Sequence, residues 1–64
     1  MNHPLVSVII PHWNGIEVIS ECLESVFQTQ YDPFEVIVVD NASTDGSSDW
    51  VSLNFPQVNL IKND

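Results

Sequence analysis

The spacing of apolar residues changes repeatedly along this chain, and each change predicts an element. Leu5-Val6-Ser7-Val8-Ile9-Ile10 is nearly continuous in apolar character. Such a run predicts a strand covered on both faces, and Pro11, which cannot donate to a ladder, is expected to end it. Met1 to Pro4 would be a frayed start. Pro11-His12-Trp13-Asn14-Gly15 reads as a tight loop, with Asn14 as N-cap and Glu17 in the reciprocal position of a capping box. From Ile16 to about Gln28 the apolar residues Ile19, Cys22, Leu23, Val26 and Phe27 recur at three- and four-residue intervals, while Glu17, Glu21 and Glu24 take other angles. That is a helix with one buried stripe. Tyr31-Asp32-Pro33 ends it, because the residue before proline avoids the helical region.

The second strand, Phe34 to Val39, holds four consecutive β-branched residues, Val36-Ile37-Val38-Val39. It breaks at once into Asp40-Asn41-Ala42-Ser43-Thr44-Asp45-Gly46-Ser47, residues that turn a chain and start a helix. A shorter helix is predicted from about Ser47 to Asn54, with Trp50, Val51 and Phe55 facing inward and Pro56 closing it. Val58 to Lys62 is a third strand. The order β-α-β-α-β, with crossovers long enough for parallel pairing, gives an α/β unit whose simplest strand order is 3-2-1.

Right-handed crossovers progressing in one direction put both helices on the same face of such a sheet. The other face is then bare, although the first two strands are apolar on both sides. Either a second copy covers it or the 64 residues are the front of a longer protein, which is the expectation here. A chain of this size buries only about 60% of its unfolded surface.

Composition narrows the partners. The net charge is -8 and Lys62 is the only basic side chain besides two histidines, which argues against nucleic acid and against anionic membrane surfaces. A phosphorylated ligand stays open if a divalent metal or charges elsewhere neutralise it. The single cysteine, Cys22, excludes an internal disulfide and reads as a small buried hydrophobe. His3 and His12 have no zinc-ligand spacing. With neither a membrane-length apolar run nor a basic leader, the expected setting is cytoplasmic.

Asp40 ends a buried strand, so it brings a carboxylate to the carboxyl edge of the sheet, where open α/β sheets bind ligands. Its plain structural role would be an Asx-turn or a helix cap; its functional role would be to accept hydrogen bonds from a ribose or base. The first loop discriminates among known uses of such an acid. Pro11 to Gly15 holds one glycine, so it provides no G-x-G-x-x-G dinucleotide turn. It has no Gly-Lys-Ser/Thr for a P-loop and no acidic cluster for a phospho-accepting receiver. What remains is a nucleotide site built from a proline-ended aromatic loop facing a carboxylate on the neighbouring strand.

Val6-Ser7-Val8-Ile9-Ile10-Pro11-His12-Trp13-Asn14, then Cys22-Leu23-Glu24-Ser25-Val26, then Glu35 through Ser47 closely resemble the N-terminus of family 2 glycosyltransferases. The resemblance runs from Val6 to the end, in three motifs of matching order and spacing. It implies a GT-A fold, of which residues 1–64 would be the incomplete, N-terminal, nucleotide-binding part. By that likeness Pro11, His12, Trp13, Asn14, Asp40 and Asn41 hold the nucleoside of a nucleotide-diphosphate sugar. Trp13 stands where tyrosine is more usual. Asn41-Ala42-Ser43 is closest to rhamnosyltransferase-like members. The family's divalent metal (Mg or Mn), its Asp-x-Asp ligands and its catalytic base would lie beyond Asp64, so no catalytic or metal residue is expected here. The acceptor would be a saccharide or a lipid-linked sugar, met at the cytoplasmic face of the membrane.

Asp45 and Asp49 fall in or near the first turn of the second helix, where negative charge suits the dipole. Ser43 and Thr44 have no histidine placed to activate them. The competing hypothesis is a non-catalytic nucleotide-binding or self-associating module complete at 64 residues. On either account the 64 residues alone are expected neither to transfer sugar nor to pack as a clean monomer.

Overall fold

The computed structural model describes residues 4–28 and 33–63. Within them the chain runs β1 (Val6–His12), α1 (Ile16–Phe27), β2 (Phe34–Asn41), α2 (Ser47–Asn54) and β3 (Asn59–Asn63). Both strand pairs are parallel and β2 is central, the expected α/β unit and strand order. The expected frayed start, apart from Pro4, and the Tyr31-Asp32 step after α1 lie outside the described residues.

Alternation along β2 shows how the sheet is used. Val36, Val38 and Asp40 are buried, while Glu35, Ile37 and Val39 are half-buried. The helices cover the first set. Ile19 and Leu23 of α1 and Val51 of α2 form the core with Val36 and Val38, and Val8, Ile10, Val26 and Leu60 pack around them. Cys22 is half-buried and unpaired. At the amino end of β2 three aromatic contacts close this layer. Phe27 lies 6.0 Å from Phe34 and stacks on Phe55 at 5.7 Å, and Phe55 meets Trp50 at 5.8 Å. Rings in this range add to the area they bury. The opposite, carboxyl end is left to polar residues.

Among the described residues nothing covers the second face. Ile9 is 63% exposed and Ile61 50% exposed. Ile9 pairs in register with Ile37, and Val39 with Ile61, so these four apolar residues run diagonally across the bare side.

Three local expectations need correction. Pro11 does not end β1, which continues through Pro11 to His12. As an edge strand, β1 tolerates a residue with no ladder donor on its outward side. The N-cap of α1 is Gly15, at φ 107°, with no side-chain cap from that residue, and Asn14 is not the cap. The Asn14 side chain is used elsewhere, as described below. β3 also begins and ends one residue later than the apolar pattern suggests.

Lys62 on β3 reaches Asp49 on α2, Nζ to Oδ1 at 3.3 Å, with both side chains largely exposed. Such pairs contribute little in water. Lys62→Ala is expected to change the unfolding free energy by less than about 1 kcal/mol, read from the midpoint of a urea titration.

Candidate functional site

The carboxyl edge of the sheet places the site. Register pairs His12 with Asp40, so the last residue of β1 and the strand-end acid lie side by side, both on the helix-covered face. Asp40 is 2% exposed and His12 6%. A buried carboxylate requires partners, and the turn after β2 supplies them. Asp40 Oδ1 accepts the Ser43 hydroxyl at 2.6 Å and Oδ2 accepts the Ser43 N–H at 3.0 Å. Ala42 makes this possible by adopting a left-handed φ of 61°, a conformation that costs a residue with a Cβ. Asp40 thus closes its own turn, and its carboxylate keeps further acceptor capacity.

The same turn is laced to the first loop. The Ser43 hydroxyl accepts the Asn14 N–H at 2.9 Å, while Asn14 Oδ1 accepts the Thr44 N–H at 2.8 Å. Asn14 itself sits at φ 49°, within the range that asparagine tolerates. Here its side chain serves a backbone donor 30 residues away in place of its own helix.

Asp45 completes the lacing. Its Oδ2 accepts the Gly15 N–H at 2.6 Å and its Oδ1 the Ser47 N–H at 2.9 Å. One carboxylate therefore caps the amino ends of both helices, where unpaired N–H groups and the helix dipole favour an anion. The Gly15 and Ser47 hydrogen bonds hold its pKa down to about 2. A depressed carboxylate pKa contributes stability above its unfolded value of about 3.9, and that contribution disappears as pH falls toward 2. Asp45→Ala is therefore expected to flatten the acid limb of the stability profile between about pH 4 and pH 2, measured by denaturant titration at stepped pH.

The expected site residues divide by orientation. His12 points inward, its Nε2 2.9 Å from Ser47 Oγ in a fully buried pair. Trp13, the next residue, is 65% exposed and stands free at the rim. Asn41 lies on the bare face of the sheet, where Oδ1 accepts the Asn63 amide at 3.0 Å. Pro11 is exposed on β1, in register with Val39. The structure thus gathers Asn14 and Asp40 into one network, with His12 alongside, and sets Trp13 at its edge. Sequence reasoning passed over Ser43 and Ser47. A serine three residues after a strand-end aspartate is a local signal for the first; the 35-residue gap between Ser47 and His12 offers none for the second.

Among the described residues no group of three or more His, Cys, Asp or Glu side chains could hold a metal ion. Asp40 and Asp45, the acids nearest the edge, already accept internal hydrogen bonds. These residues do not fit a metal centre, and no chemical step is assigned to one. Among the described residues no helix is long and apolar enough to cross a membrane.

A parallel β-α-β-α-β sheet is the Rossmann-like type of α/β unit, and open sheets of this type bind ligands at the carboxyl edge where Asp40 and the two interlocked loops lie. The family follows from comparison: the glycosyl transferase family 2 model matches residues 7–64, and the chain belongs to that family. It is 33% identical over 58 residues to the glycosyltransferase GlyG of Streptococcus pneumoniae, covering 91% of this chain and 19% of that protein. With the glycosyltransferase AglE of Haloferax volcanii it shares 48% over 48 residues, covering 72% and 16% respectively. The mannosyltransferase PcManGT of Pyrobaculum calidifontis, solved in complex with GDP-Man and Mn2+, superposes with a TM-score of 0.79 at 35% identity, over 91% of this chain and 19% of that one. The match is to the N-terminal, Rossmann-like portion of its GT-A fold. The chain spans 24% or less of the length of these curated relatives and of the first of the others.

Proposed function

We propose that this chain is the N-terminal, nucleotide-sugar-binding part of a glycosyltransferase that moves a sugar from a nucleotide-diphosphate sugar to a saccharide or lipid-linked acceptor. The observation that carries this is the buried Asp40 carboxylate, tied through the Ser43 hydroxyl to Asn14 in the Trp13–Gly15 loop that follows β1 at the ligand edge of the sheet. Asp40 accepts from the base or ribose, and the exposed Trp13 ring offers the nucleoside an apolar face. Asn14 holds the two loops in register, His12 anchors the loop from beneath through Ser47, and Pro11 and Asn41 border the site. The family and the GDP-Man complex of PcManGT support the donor class. The pairing of Asp40 with the proline-aromatic segment on the adjacent strand suggests a UDP or dTDP sugar, and the PcManGT ligand adds GDP sugars to the candidates.

A divalent metal, Mg or Mn, is required by the diphosphate leaving group and takes its ligands from outside the described residues. Nothing in this chain is assigned as a catalytic base. The reaction belongs at the cytoplasmic face of the membrane, where a lipid-linked acceptor would be presented. The bare face of the sheet is covered by the remainder of the domain, or by a second copy when that is missing. Isothermal titration of the natural protein with UDP, dTDP and GDP, each with Mg or Mn, tests the proposal. Saturable binding of at least one is expected, and binding of none would overturn it.

A further inference from the structure

We propose that Asp45 is a positioning residue for the nucleoside site, holding the Trp13–Gly15 loop after β1 and the Asp40–Ser43 turn at a fixed separation through its hydrogen bonds to Gly15 and Ser47. The proposal rests on the nucleotide-site reading above. Gly15 directly follows the loop residue Asn14. Ser47 carries the hydroxyl that holds His12, the neighbour of Asp40 in the sheet. One carboxylate therefore spans the two elements whose loops must face the same ligand.

The other links between those loops, Asn14 N–H to Ser43 and Thr44 N–H to Asn14, are between neutral groups. The two bonds to Asp45 are charge-assisted, and bonds of that kind are stronger and shorter. They also act where two helix dipoles converge, on α1 of 12 residues and α2 of 8. Both bonds hold at neutral pH, since Asp45 stays ionised far below it. Asp45 is itself exposed and bonds along the outside of the loops, so it acts through their geometry and need not touch the ligand.

A residue that merely stabilised the fold would change the melting temperature and leave the affinity of the folded protein intact. The test separates these effects. The natural protein, Asp45→Asn and Asp45→Ala are titrated with UDP, dTDP and GDP at neutral pH, well below each melting temperature. Asp45→Ala is expected to weaken the nucleotide that binds by about tenfold, the scale of one charge-assisted hydrogen bond. Asp45→Asn falls between, because its amide has one acceptor oxygen for two N–H donors. Added formate, a free carboxylate for the vacated position, should restore affinity to Asp45→Ala and leave the natural protein unchanged. Natural affinity in a folded Asp45→Ala protein would overturn the proposal. Where the alanine variant does not fold, natural affinity in Asp45→Asn overturns it instead. If the natural protein binds none of the three nucleotides, the nucleotide-site reading fails first, and this proposal fails with it.

Discussion

Asp40→Ala is expected to weaken binding of the cognate nucleoside diphosphate by about ten- to a hundredfold, the range of a hydrogen bond to a charged, buried group. The substitution acts in two ways. It removes the acceptor offered to the nucleoside, and it strips Ser43 of both its bonds to the acid. The loop Asn14 reaches through Ser43 then loses its hold on the strand end. Orphaning those donors should also cost about 1–3 kcal/mol of stability, so the alanine variant mixes two effects. Asp40→Asn separates them. Its amide oxygen can still accept the Ser43 N–H, and its amide N–H can donate to the Ser43 oxygen, so the turn survives without the charge. A folded Asp40→Asn protein that binds about tenfold or more weakly would assign the effect to the carboxylate. Unchanged calorimetric affinity in both variants would remove Asp40 from the site.

The second large effect belongs to the bare face. Ile9 pairs with Ile37 and Val39 with Ile61, so the four run diagonally across three strands, and the outer two are at least half exposed. Contiguous apolar surface of this kind marks an interface or an aggregation liability. Among the described residues the core on the other side has five buried apolar residues, and no disulfide supports it, so the monomer has little stability to set against association through the bare face. The 64-residue chain by itself is expected to self-associate in sedimentation velocity runs. Ile9→Lys combined with Ile61→Lys is expected to return it to a monomer. Those lysines move the strongly negative chain toward neutrality, which alone would favour association. A shift to monomer must therefore come from the lost apolar face. A compact natural-sequence monomer with cooperative unfolding would contradict this.

Both effects trace to features that differ in how far the residues announce them. Strands β1 and β2 were legible because β-branched runs have few alternatives in a short chain, and the stripe of α1 because Ile19 and Leu23 sit one turn apart. The bare face followed from connection handedness alone. The errors arose where a local rule met a distant partner. Asn14 followed by Glu17 has the spacing of a capping box, yet the Thr44 N–H takes the Asn14 side chain and Asp45 caps the helix from across the sheet. Pro11 is a strand breaker by propensity, but edge position removes the penalty. In the site, Asp40 was visible because an acid ends a buried strand. The inward turn of His12 and the double use of Asp45 depend on loop geometry across 30 and more residues, which no local pattern encodes.

Hydrogen–deuterium exchange of the natural protein, with and without a saturating nucleoside diphosphate, tests most directly whether this carboxyl edge is the nucleotide site. Protection is predicted in peptides covering residues 11–15 and 40–45, with little change in the aromatic cluster around Phe27, Phe34 and Phe55 at the far end. Saturated nucleotide that protects the far end, or any region other than these two loops, would contradict the account.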